Sequence, residues 1–204
     1  MSSLSSTTAT VVSEMSDDDE ELPSRAFESE NLSFRNYYPS EHDQTFNTIQ
    51  EYPSSVINFC ASSPRPMDLT FTSRVAKHLQ RNSDLFVMIE YYDECDPLGT
   101  LFLESSHRDM AHHRCAKLGI GMLKEFQHYE IEAIQWALNW AFNRAGLHRV
   151  EMNVPSWNMR LGKVCEEVGF QIEGKRRECF FKDGEWHDEV NMSMLKKDWV
   201  QLRT

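Results

Sequence analysis

The sequence predicts an α+β domain built on a mixed, mostly antiparallel sheet of six to seven strands flanked by helices. Three observations carry this. Strand-like segments recur at 85–92, 98–104 and 116–123. A helix, a strand, a second helix and a hairpin then follow in order between Ile131 and Leu195. No apolar run reaches the roughly 18 residues that a membrane-spanning helix needs, so the apolar residues belong to a core rather than to a bilayer.

Residues 1–28 mix Ser and Thr with the acidic run Asp17 to Glu21. They hold too little apolar material to offset chain entropy, so a disordered tail is expected ahead of one domain over 29–204. In that domain Leu32 and Phe34 alternate with Ser33 and Arg35 as a short strand, and a helix follows Asp43. Pro53, Pro64 and Pro66 interrupt the next stretch. Phe71, Val75 and Leu79 then share one face of a helix over 68–80. The runs LFVMIEYY and LGTLFLE form a hairpin across an acidic turn, and AKLGIGML adds a third strand.

Further on, Ile131, Ile134, Leu138, Ala141, Phe142 and Ala145 recur at helical spacing, and Gly146 supplies the left-handed stop. Val150, Met152 and Val154 alternate with Arg149, Glu151 and Asn153 as a strand with one buried face. Leu161, Val164, Cys165 and Val168 line a short helix closed by Gly169. Strands over 170–181 and 186–195 flank the turn Lys182-Asp183-Gly184-Glu185.

A net charge of -11 argues against a nucleic-acid backbone as partner. Five cysteines without paired spacing, and a start without the pattern of a secretory signal, point to a reduced compartment, cytoplasm or nucleus. No membrane association and no metal site are expected; His112 and His113 are adjacent, so their side chains diverge. The exposed edge of the C-terminal hairpin leaves monomer and homodimer both open.

From Ala141-Phe142 onward the chain carries Gly146-Leu147-His148-Arg149, Asn158, Gly169-Phe170, Glu173-Gly174, Arg176-Arg177, Gly184, Asp188 and Trp199 in that order. This series resembles the C-terminal half of GNAT N-acetyltransferases of the ribosomal-protein alanine type, and looser matches extend the likeness over about residues 30 to 199. The resemblance implies a GNAT fold, with the sheet splayed in the middle, and an acetyl-CoA-dependent enzyme whose acceptor is an amine, a protein N-terminus or a small molecule. It implies that the pantetheine arm lies along Leu118, Gly119, Ile120, Gly121 and Met122. It also implies that the diphosphate lies near Gln127, His128, Tyr129 and Ile131 at a helix N-terminus, with Asn158 and Arg160 close by.

The chain departs from this pattern in one loop. Relatives carry a glycine-rich run there; this sequence reads Glu125-Phe126-Gln127-His128-Tyr129-Glu130-Ile131-Glu132-Ala133, about two residues shorter and without glycine. Glu130 falls where the diphosphate is expected. Either the helix is capped by its own carboxylate and the protein is a binding module, or cofactor binding persists. Cys165 stands where relatives place a proton-donating Tyr, and is either that donor or part of the core. Glu151 and His113 are the candidate bases, acting through water, or else surface residues. Trp157 and Trp186 either line an acceptor pocket or pack in the core.

Overall fold

Leu32 and Phe34 are buried and their neighbours are not, the period-two signature of a strand covered on one side, and β1 (Leu32–Asn36) forms there. The computed structural model describes residues 26–51, 68–92, 96–105 and 108–203. Apart from its last three residues, the tail expected over 1–28 lies outside the described residues, as do the three prolines at 53, 64 and 66 and the acidic turn at 93–95.

The helix expected after Asp43 begins four residues sooner, as α1 (Pro39–Glu51). Proline suits that first position because its fixed φ is helical and the N–H it lacks has no partner in the first turn. His42 docks α1 on the sheet: its Nδ1 accepts from the Tyr38 N–H at 2.8 Å, which leaves Nε2 to donate to Glu90 Oε1 at 3.0 Å. Arg35 holds the other Glu90 oxygen at 3.1 Å. α2 (Leu69–Asn82) is capped by Asp68, which accepts from the Phe71 N–H at 2.7 Å.

The next three strands are β2 (Ser83–Tyr91), β3 (Pro97–Ser105) and β4 (Cys115–Met122). A 3-10 turn at Lys124–Tyr129 runs into α3 (Glu130–Asn139), which continues as a π-helical turn, Trp140–Arg144. Then come β5 (Arg149–Pro155), α4 (Met159–Val168), β6 (Gln171–Lys182), β7 (Glu185–Leu195) and α5 (Lys196–Gln201). α5 was not foreseen, since six residues are too few to show a period. Trp199 anchors it, with its ring 6.2 Å from that of Phe142 and the Arg203 guanidinium 3.8 Å over its face.

The seven strands form one sheet in the order β1-β2-β3-β4-β5-β7-β6, antiparallel except where β4 meets β5. Its two faces carry separate cores. Phe46, Ile49, Val75, Leu79, Met88 and Phe102 join α1 and α2 to one face. Leu101, Leu103, Ile120, Ala133, Phe142, Met152 and Cys165 join α3 and α4 to the other. β3 is buried on both sides from Leu98 to Leu103, which is why its sequence shows no alternation of apolar and polar residues.

Candidate active site

β4 pairs with β3 along most of its length, from Ala116 opposite Ser105 to Met122 opposite Gly99. Its pairing with β5 covers three positions, Cys115 with Arg149, Ala116 with Val150 and Lys117 with Glu151. Beyond Lys117 the two parallel strands part, and Leu118, Gly119, Ile120, Gly121 and Met122 border the opening. Such an edge offers backbone N–H and C=O groups to an extended, amide-bearing ligand. Gly119 has a packing duty as well: a Cβ there would lie 2.0 Å from Phe102 Cζ, so the Phe102 ring occupies the space above it.

The opening ends at the turn where the sequence lacks its glycines. Phe126 and Tyr129 pack their rings edge-on against Tyr91, and the Tyr129 and Tyr91 hydroxyls lie 3.3 Å apart. Gln127 and His128 belong to the same turn, and the Glu130 N–H donates to the Gln127 carbonyl, so the turn leads into α3 without a break. Ile131 packs against the core. Glu130 is buried, and its Oε1 accepts from Arg160 Nη2 of α4 at 2.6 Å. Its Oε2 is buried without a hydrogen-bond partner. Burial pushes the Glu130 carboxyl upward, and Arg160 opposes that shift.

Asn158 begins α4 as expected of an N-cap, accepting from the Leu161 N–H at 3.2 Å, while Gly169 closes the helix at φ 108°. We expect Asn158→Ala to cost about 1 kcal/mol of stability through the lost cap, read from the urea midpoint. Trp157 packs edge-on against Phe180 and His187, with Lys182 Nζ 5.4 Å over its ring. Trp186 is not in the core: it is 60% exposed at the hairpin tip, beside Phe181.

The three candidate catalytic residues lie apart. Cys165 is fully buried, its Sγ 2.9 Å from Met152 Sδ on the α3 and α4 side of the sheet. Burial, with the charges of Glu130 and Glu166, pushes its thiol up to about 12. Glu151 sits at the last paired position before the strands part, with Oε1 accepting from Arg149 Nε at 2.8 Å. His113 is exposed at the end of a 3-10 turn ahead of β4, and its ring lies 3.9 Å from that of His112, so the two side chains do not diverge as their adjacency implied. Among the described residues, no group of three or more His, Cys, Asp or Glu is placed to hold a metal ion, and no helix is long and apolar enough to cross a membrane.

Arg149 also grips Glu173 with both terminal nitrogens, and Ser193 Oγ donates to the same carboxylate at 2.9 Å. Arg149 first, then Ser193, lowers the Glu173 carboxyl from 4.5 to about 2. A group depressed by folding stabilises the fold above its unfolded value and loses that contribution as pH falls through its folded one. Stability should therefore decline between pH 4.5 and about 2, and Glu173→Gln should flatten the decline in urea titrations. The side chain is 45% exposed, so the effect is small.

A family model described as an acetyltransferase (GNAT) domain matches residues 31–171. A putative ribosomal N-acetyltransferase, YdaF, of Bacillus subtilis is 34% identical over 89 residues, which is 43% of this chain and 49% of that protein. The ribosomal protein uS5-alanine N-acetyltransferase of Escherichia coli is 25% identical over 111 residues, 54% of this chain and 57% of that one. The chain thus spans about half the length of these curated relatives. Among solved structures, spermidine N-acetyltransferase from Vibrio cholerae in complex with CoA and spermine superposes with a TM-score of 0.70 at 21% identity, over 83% of this chain and 98% of that chain. That likeness supports the fold.

Proposed function

This chain belongs to the GNAT acetyltransferase family, and from that premise we propose that it transfers an acetyl group from acetyl-CoA to a primary amine by direct attack on the thioester. The observation that carries the proposal is the parting of β4 from β5 after Lys117 and Glu151, which leaves the edge of Leu118 to Met122 to an amide-bearing ligand. The thioester supplies an activated acyl group and a thiolate leaving group. The rest of the chemistry falls to the chain.

Glu151 is the base in this reading. It projects from β5 on the face opposite Met152 and Cys165, beside the opening, where an amine can reach it directly or through one water. Arg149 fixes its orientation. The amine nitrogen bonds to the carbonyl carbon, the carbon–sulfur bond breaks, and the amine proton passes to Glu151. The departing thiolate, with an ordinary thiol pKa of about 8.5, takes its proton from water. Cys165 holds its own proton too tightly at about 12, and we assign it to packing.

The acceptors named for the relatives, a ribosomal-protein alanine and spermidine, define the first panel to test. Release of free thiol from acetyl-CoA should rise with spermidine or with an Ala-terminated peptide. No release with any amine, from protein that binds the thioester, would favour a binding module on the same fold.

A further inference from the structure

The corner between the N-termini of α3 and α4 is already held by an anion of the chain itself. Glu130 is the first residue of α3, its side chain is 5% exposed, and its Oε1 takes Arg160, the nearby cation of α4. Glu132, half-buried in the first turn of α3, is engaged by Ser29 Oγ at 2.7 Å and by the Asn31 N–H at 2.8 Å, and adds a second negative charge. The self-capped helix end expected from the sequence is not what forms: the hydrogen bond to Glu130 comes from Arg160, which it neutralises, and its charge stands beside a helix N-terminus that would otherwise attract an anion.

The unpartnered oxygen points to what the corner accepts. Glu130 Oε2 is buried and has no donor, and a carboxylate oxygen can only accept. A diphosphate carries acceptors alone and brings like charge. The pantetheine arm of a thioester carries amide N–H and hydroxyl donors. Resting on the transferase reading above, we propose that Glu130 determines donor specificity: it receives a hydrogen bond from the pantetheine arm and denies a diphosphate the helix end, so the acyl donor is recognised through its arm and not through its nucleotide.

Calorimetric titration of the full chain with acetyl-CoA and with S-acetylpantetheine, which lacks the diphosphate, tests this. The two thioesters should bind the unaltered protein within about five-fold of each other, since the unfavourable charge offsets the added nucleotide contacts. Glu130→Gln, which removes the charge at nearly constant shape, should strengthen acetyl-CoA by about ten-fold and should not strengthen S-acetylpantetheine. Arg160→Met, which leaves Glu130 without its counterion, should weaken acetyl-CoA by about ten-fold and S-acetylpantetheine far less. Thermal melts identify any variant that fails to fold, and either variant alone suffices. A preference of about a hundred-fold for acetyl-CoA in the unaltered protein, or equal gains for both thioesters in Glu130→Gln, overturns the inference and leaves the transferase reading standing. If neither thioester binds the unaltered protein or Glu130→Gln, both readings fall.

Discussion

Glu151→Gln is expected to lower kcat by roughly 10²- to 10⁴-fold, the span over which a positioned general base contributes. The amide keeps an oxygen to accept from Arg149 Nε, so the strand register and the Arg149 to Glu173 pair should survive, and stability should move by no more than about 0.5 kcal/mol. Lost proton acceptance separates from lost structure in two readouts. KM for acetyl-CoA should stay constant, because Glu151 faces away from the α3 and α4 side of the sheet. The limb of the pH–rate profile that depends on a deprotonated base should disappear. A kcat within about three-fold of the unaltered enzyme would move the base elsewhere, and His113, exposed ahead of β4, would be the next residue to change.

The sheet and its helices were legible because their signals are periodic. Val150, Met152 and Val154 alternate into the core as the sequence implied, and Asn158 and Gly169 delimit α4 by short-range rules of capping and left-handed φ. Such signals need only a few neighbouring residues. The departures have equally local causes: α1 starts at Pro39 because proline serves the first helical position, and the helix foreseen over 131–145 changes to a π turn at Trp140. The site was legible only in outline. Glu130 and Arg160 are thirty residues apart and no spacing rule links them, so the sequence flagged each residue separately but not their pairing. The same holds for Arg149 and Glu173, which lie on β5 and β6 and meet across β7. Trp186 misled because tryptophan is usually well covered, whereas here the hairpin carries it out to the tip.

Gly119 illustrates how one residue type can answer to two demands. The family pattern assigns it to the pantetheine edge, yet its immediate neighbour is a ring: Phe102, its register partner on β3, is 3% exposed and fixed in the core under α1 and α2. An added Cβ would lie 2.0, 2.4 and 2.6 Å from three carbons of that ring. A buried ring cannot simply rotate away, so either Phe102 leaves its place or β4 shifts toward the opening. Gly119→Ala should therefore cost about 1–3 kcal/mol, the usual range for overpacking, measured from the urea midpoint at constant m-value. It should also weaken thioester binding, because β4 forms one wall of the opening. Phe102→Leu, made in the Gly119→Ala background, should restore part of both losses, and a double-mutant cycle should show a coupling of roughly 0.5–3 kcal/mol. Simple additivity would mean that the ring is not what keeps this position glycine, and the pantetheine edge alone would then account for it.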